Sequence, residues 1–86
     1  MGKHKPRKQV AFFVEKGGER KLGYWLEYLH RGKIRSQIAV LNIVKPLFPA
    51  YKVALGLELQ EYDVPRDKIQ SWLESRGYRV GPFLED

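Results

Sequence analysis

Two residue types that recognise DNA bases alternate near the start of the chain. Arg7 and Gln9 precede Ala11 in the segment RKQVAFFVE. An arginine pairs bidentately with guanine O6 and N7, and a glutamine pairs in the same way with adenine N6 and N7. Side chains two residues apart on a strand point to one face. The face that Arg7, Gln9 and Ala11 share is therefore a candidate surface for base contacts.

Basic residues surround this segment and provide candidate phosphate contacts. The segment 31–36 (RGKIRS) spans the start of a predicted helix, and free backbone N–H groups at a helix start bind phosphate. The predicted phosphate contacts are Lys3, Lys5, Lys8, Arg31, Lys33, Arg35 and Ser36.

The positive charge of the chain is concentrated in its first half. The 86 residues carry a formal net charge of +6. Residues 1–48 hold 11 Lys and Arg against 3 Asp and Glu, whereas residues 49–86 hold 5 against 7. A segregated positive surface attracts polyanions. Nucleic acid is therefore the predicted partner, and no small-molecule substrate is evident.

The sequence offers no constellation for catalysis or metal binding. It has no cysteine, and neither His4 nor His30 has a partner at ligand spacing. Its serines lie in no nucleophile motif, and no phosphate-binding glycine loop occurs. We predict that the protein is not an enzyme and has no metal or cofactor. Without a membrane-length apolar run or a signal-peptide pattern, we expect no membrane partner and a cytoplasmic location, nucleoid-associated if the protein binds DNA.

Hydrophobic spacing predicts an α+β fold with a strand over 8–15 and helices over 19–30 and 34–45. Leu22, Trp25, Leu26 and Leu29 stand at helical spacing, and Gly32 follows as a stop. An alternative remains, because Leu22 to Tyr28 also alternate. Residues 20–29 then form the second strand of a hairpin that turns at residues 16–19. We favour the helix because large aliphatic side chains and tryptophan form its stripe.

The remaining chain completes a three-part organisation. Residues 1–8 form a flexible basic arm, residues 9–48 the DNA-binding region, and residues 49–86 an acidic segment packed on the same domain. Residues 51–60 alternate as a strand does, residues 65–76 have helical spacing, and residues 78–84 suggest a short final strand.

The order of strand, helix, glycine turn and apolar helix resembles the ribbon-helix-helix family of DNA-binding repressors and plasmid-control proteins. The resemblance rests on RKQVAFFVE, ERKLGYWLEYL and RGKIRSQIAVLNIV, and it covers residues 7–48. It implies a homodimer in which two copies of the first strand form a ribbon in the major groove of double-stranded DNA. It also implies base contacts from Arg7, Gln9 and Ala11, and a phosphate anchor over residues 34–36.

Two other functions remain open. In the first, the protein is a monomeric RNA-binding module in which residues 9–15, 51–60 and 78–84 share one sheet. Phe13, Tyr24 or Tyr28 then stack on unpaired bases. In the second, residues 51–59 and the helix around Trp72 assemble with another protein, and the basic half is incidental.

Overall fold

A computed structural model shows a five-stranded antiparallel sheet with one short helix. It describes residues 6–47 and 52–85, and of residues 43–47 and 52–55 only the backbone. The strands lie in the order β4-β3-β2-β1-β5. The elements are β1 (Lys8–Lys16), β2 (Glu19–His30), β3 (Lys33–Leu47), β4 (Lys52–Tyr62), a 3₁₀ turn (Arg66–Lys68), α1 (Ile69–Glu74) and β5 (Arg79–Glu85).

The helices predicted over 19–30 and 34–45 are wrong, because both segments are strands. Two tight turns explain the difference. Gly17 and Gly18 have φ values of 62° and 80°, and Arg31 and Gly32 have 52° and 76°. Two consecutive positive φ values fit the hairpin turn whose twist matches that of antiparallel strands. Gly32 therefore turns a hairpin instead of ending a helix, and the hairpin alternative for residues 20–29 is confirmed.

The ribbon-helix-helix resemblance and the fold class built on it are also wrong. The strand predicted over 8–15 is present as β1, but β1 lies inside the sheet between β2 and β5. Both of its edges are already hydrogen-bonded within one chain. It therefore has no free edge for a second copy, and the dimeric ribbon cannot form.

The core lies on one side of the sheet, beneath α1 and the segment before it. Val10, Phe12 and Val14 share one face of β1 and are buried there. Trp25 is buried beside them, and its indole Nε1–H donates to the Val64 carbonyl oxygen at 2.8 Å. The other buried apolar residues of this core are Ile38, Val40, Ile69, Leu73 and Tyr78.

A charged network closes one end of the core side. The Lys21 ammonium, only 6% exposed, lies 2.9 Å from a Glu58 carboxylate oxygen and 3.2 Å from one of Glu19. The Tyr78 hydroxyl donates to the same Glu58 carboxylate. The Tyr78 hydrogen bond and then the Lys21 ammonium lower the pKa of Glu58. Burial, together with the bond to Glu58, raises the pKa of Tyr78 to about 12.

The β2–β3 hairpin extends beyond its neighbours. The pairing of β1 with β2 ends at Lys8 and Glu27, and the pairing of β3 with β4 ends at Gln37 and Tyr62. Residues 28–35 therefore project as a two-stranded tip, with the exposed Arg31 at its end. We call this segment the hairpin tip.

Candidate nucleic-acid interface

The side of the sheet opposite α1 presents apolar and aromatic side chains to solvent, and we call it the open face. Strand alternation and register place these side chains there, and none of the described elements packs over them. Phe13 is 45% exposed, Leu57 is 55% and Leu84 is 61%. The larger apolar and amide side chains of the open face are Gln9, Phe13, Leu22, Tyr24, Leu26, Tyr28, Gln37, Leu41, Leu57, Gln60, Tyr62 and Leu84.

Four aromatic residues share the open face. Phe13 and Tyr24 lie on adjacent strands, with Tyr28 further along β2 and Tyr62 on β4. The Gln37 side-chain amide donates to the Tyr24 hydroxyl at 3.5 Å. Aromatic rings on an accessible sheet surface are the stacking platform for unpaired bases in sheet-type RNA-binding modules. This face therefore has the residue types that such stacking needs.

Cationic side chains lie at both ends of this aromatic surface. At one end, Arg20 of β2 and Arg79 of β5 stand on either side of Glu15 of β1. At the other end, the hairpin tip contributes Arg31 and Lys33, both exposed. Arg31 follows Arg20 by eleven positions along β2 and its turn, which corresponds to roughly 35 Å. That length suits an extended strand of several nucleotides, since known single-strand sites span about 4–16 nucleotides.

One arginine of the hairpin tip is held by an ion pair. The Arg35 guanidinium donates two hydrogen bonds to the Asp63 carboxylate, at 2.9 Å and 3.0 Å. This contact lowers the pKa of Asp63. Asp63 adopts φ 62°, and its backbone N–H donates to the Ser36 carbonyl oxygen at 2.8 Å. Arg35 thus connects the segment after β4 to the sheet, and two of its guanidinium donors are already hydrogen-bonded to a carboxylate.

The predicted base contacts lie along β1 and its start. Gln9 and Ala11 are on the open face, opposite Leu26 and Tyr24 of β2. Arg7 precedes the strand and is exposed, and its backbone N–H donates to the Glu27 carbonyl oxygen at 2.6 Å. The structure therefore brings Gln9 and Ala11 to the aromatic surface, although not in the ribbon that the sequence suggested, whereas Arg7 lies before the start of β1.

The predicted phosphate contacts are dispersed. Arg31 and Lys33 are on the hairpin tip, and Lys8 is exposed at the start of β1. Ser36 is buried on the core side, where its hydroxyl donates to the Val64 carbonyl oxygen at 3.1 Å. Its hydroxyl therefore holds the fold together. Lys3 and Lys5 lie outside the described residues.

A depression marks the boundary of β1 and β5. The register places Phe12 opposite Phe83 and Val14 opposite Val80, so two residues of β5 bulge out beside Phe13. The resulting hollow has a volume of about 330 Å³. Its lining consists of Phe13, Glu15, Arg20, Arg79, Val80, Gly81 and Pro82. The bulge thus creates a recess at the arginine-rich end of the open face.

Sequence reasoning missed three residues of this recess: Glu15, Arg20 and Arg79. The hairpin register indicates the first two, because a two-residue turn at Gly17 and Gly18 sets Glu15 opposite Arg20. Arg79 reaches the recess only through the pairing of β5 with β1. No local pattern predicts that long-range contact.

The part of the chain that the structure describes offers neither a cluster of metal-ligating side chains nor a membrane-spanning helix. In residues 6–47 and 52–85, no group of three or more His, Asp or Glu side chains could hold a metal ion. None of the helical segments in this described part has the length and apolar character that a membrane crossing requires. Comparisons with protein-family models, with curated proteins and with solved structures find no match.

Proposed function

We propose that the protein binds single-stranded nucleic acid across its open face. The observation that carries this proposal is the aromatic surface between two cationic ends, where Phe13 and Tyr62 are exposed and Tyr24 and Tyr28 partly exposed. Phe13, Tyr24 and Tyr28 supply rings for base stacking, and Arg20 with the hairpin tip supplies charge for the phosphates. Stacking platforms combined with basic grooves are how proteins bind unpaired strands.

The charges around the open face support a polyanion as its partner over an apolar protein surface. An apolar sheet face of this size also suits a second protein surface. Arg20 and Arg79 border the aromatic rings at one end, and Arg31 lies at the other. The first half of the chain, which contributes β1, β2 and β3, carries the positive charge of the molecule. A nucleic acid strand can stack its bases on the rings and place its phosphates beside the cations.

The shape of the open face supports an unpaired strand over a duplex. Its aromatic rings lie on a sheet surface, where only bases that are free of a partner strand can stack on them. The β1 strand that the sequence assigned to the major groove is enclosed by its neighbours. Duplex DNA therefore serves as the comparison ligand in the test of the proposal.

Fluorescence anisotropy with labelled decanucleotides tests the proposal. Single-stranded RNA, single-stranded DNA and a duplex of equal length are titrated at several salt concentrations. We expect both single strands to bind more tightly than the duplex. The ratio of the affinities for RNA and DNA then identifies which nucleic acid the protein prefers. Phe13→Leu is expected to weaken binding about tenfold, because one stacked base contributes about 1–3 kcal/mol. Phe13→Tyr keeps the ring and is expected to stay close to the wild type.

A charge-matched pair controls for general electrostatics. Arg20→Ala removes a cation from the open face, whereas Arg76→Ala removes one that stacks on Trp72 beside α1, on the other side. Neutralising one phosphate contact is expected to reduce the salt slope by about 0.7. Only Arg20→Ala should show this loss. Three results would each overturn the proposal. The first is equal binding by Phe13→Leu and Phe13→Tyr, and the second is tighter binding to the duplex than to the single strands. The third is the molecular mass of a dimer in solution together with no binding to any of the strands.

A further inference from the structure

We infer that the recess between β1 and β5 is a guanine-selective base pocket of the single-strand site. The inference rests on the proposed function and names the base that the site prefers. Phe13 forms the stacking wall, Glu15 and Arg79 face the edge of the base, and Arg20 meets a phosphate.

The bulge in β5 makes room for one base. Phe13 lies between two paired positions, because the register jumps from Phe12 opposite Phe83 to Val14 opposite Val80. Gly81 sits against the Phe13 backbone, and a Cβ added there would lie 3.2 Å from the Phe13 carbonyl oxygen. The residue after it, Pro82, lines the recess. The recess of about 330 Å³ has space for a single nucleobase beside the exposed ring.

Glu15 is positioned for the edge of a base that stacks on Phe13. The two residues share a face of β1 and are separated by one residue, so their Cα atoms are roughly 6–7 Å apart. That spacing is close to the width of a nucleobase. The Arg79 guanidinium lies beside the Glu15 carboxylate at 4.0 Å, at the limit of an ion pair, and its side chain is 88% exposed. Both groups can therefore turn toward a ligand.

The Glu15 and Arg79 pair matches the hydrogen-bonding pattern of one base. The Watson–Crick edge of guanine presents two adjacent N–H donors, at N2 and N1, followed by the O6 acceptor. A carboxylate accepts from two parallel donors, and an arginine beside it donates to the acceptor. Adenine, cytosine and uracil each lack the adjacent pair of donors. Reading this edge requires an unpaired base, which is the substrate class of the proposed function.

Arg20 provides a positive charge beside the recess, and in the described part of the chain the ion pair of Glu15 is formed with Arg79. The Arg20 guanidinium lies over the Phe13 ring, 5.6 Å from the ring centre, in a cation–π contact that a stacking base would displace. Arg20 is therefore available to contact the phosphate of the nucleotide whose base enters the recess.

The test measures base preference at a single position. Uridine hexamers carrying one guanosine, one adenosine or one inosine are titrated by fluorescence anisotropy. We expect guanosine to bind about tenfold more tightly than adenosine, the low end of a bidentate base contact. Inosine lacks the N2 amine and is expected to fall between the two. Glu15→Gln keeps the size of the side chain but replaces one acceptor with a donor, so the preference for guanosine should disappear.

The matched control is Glu61→Gln, which makes the same charge change at an exposed position on the core side of β4. It should retain the preference of the wild type. If the wild type binds all three hexamers equally and still depends on the Phe13 ring, the guanine pocket is wrong and the proposed function stands. The inference is also wrong if Glu15→Gln strengthens binding of all hexamers alike, because Glu15 then only repels phosphate. If no hexamer binds, both proposals fail.

Discussion

The two sides of the sheet use the same strands for different purposes. On the core side, Phe12 and Trp25 are almost fully buried, at 0% and 1% exposure. On the open face, the neighbouring Phe13 is 45% exposed, and Leu22 is 40%. One side meets α1, whereas the other meets none of the described elements. The strands are therefore apolar on both sides, although packing within the chain explains only one of them.

This difference separates stability from function. Burial on the core side accounts for the residue types found there, since apolar surface removed from water stabilises a fold. The exposed rings and leucines of the open face gain little in the single chain. Large apolar patches on a soluble protein mark binding surfaces. We therefore expect substitutions on the core side to change the free energy of unfolding and those on the open face to change binding.

The adjacent phenylalanines provide the largest test of this separation. Phe12→Ala should lower the free energy of unfolding by about 3–5 kcal/mol, because it removes a fully buried ring that packs edge-on against Phe83. Phe13→Ala should cost less than about 1 kcal/mol, as exposed positions usually do. Urea unfolding followed by tryptophan fluorescence measures both. Similar losses for the two variants would mean that the open face is packed in solution, most simply by a second copy of the chain.

The contact of Phe12 with Gly23 gives the second test. Gly23 lies opposite Phe12 on β2, and a Cβ added at Gly23 would collide with the Phe12 ring. Gly23→Ala is expected to destabilise the fold by about 1–3 kcal/mol, the usual range for overpacking. In Phe12→Leu the smaller side chain makes room, so Gly23→Ala should cost less in that background. A double-mutant cycle measures this coupling, and strictly additive losses would show that the ring is not what excludes a side chain here.

The open face also explains why the sequence misleads about β2. Leu22, Trp25, Leu26 and Leu29 have the spacing of a helix, yet Trp25 points to the core and Leu26 to the opposite side. A strand that is apolar on both sides has no clean alternation, so helical spacing arises by coincidence. The decisive signals were the turn residues: Gly17 with Gly18, and Gly32 at the next turn. Both residues of each turn, Gly17 with Gly18 and Arg31 with Gly32, have positive φ, as a type I′ hairpin turn requires.

The sequence predicts which residues of β1 and β2 share the open face, but it does not predict the recess beside β5. Alternation along single strands correctly groups Tyr24 with Tyr28, and Gln9 with Phe13. Pairing of β1 with β2 brings these groups together, and the hairpin turn predicts that register. The recess, in contrast, depends on β5, which pairs with β1 from more than 60 residues away in sequence. Strand partners at that separation in sequence are selected by the whole fold. The sequence alone therefore could not assign Arg79 to the recess.

The smallest expected effect concerns the polar end of the core side, where Tyr78 is 4% exposed. Its pKa of about 12 in the folded protein lies above the ordinary value of 10.0, so the folded state holds the proton more tightly. The stability from this group is fully present below pH 10 and is lost as the pH rises toward 12. The pKa of Lys21 is raised as well, mainly by its hydrogen bond to Glu58, and this adds to the alkaline loss.

Tyr78→Phe separates the two contributions. It removes the hydrogen bond to Glu58 and should cost about 1 kcal/mol at pH 7. Between pH 10 and 12 the variant should lose less stability than the wild type, since only the Lys21 contribution remains. Thermal unfolding across this pH range measures the difference. An alkaline loss of the same size in both proteins would show that the Tyr78 hydroxyl is not held as the structure has it. Single-strand binding at pH 7 should be unchanged, because Tyr78 lies on the core side.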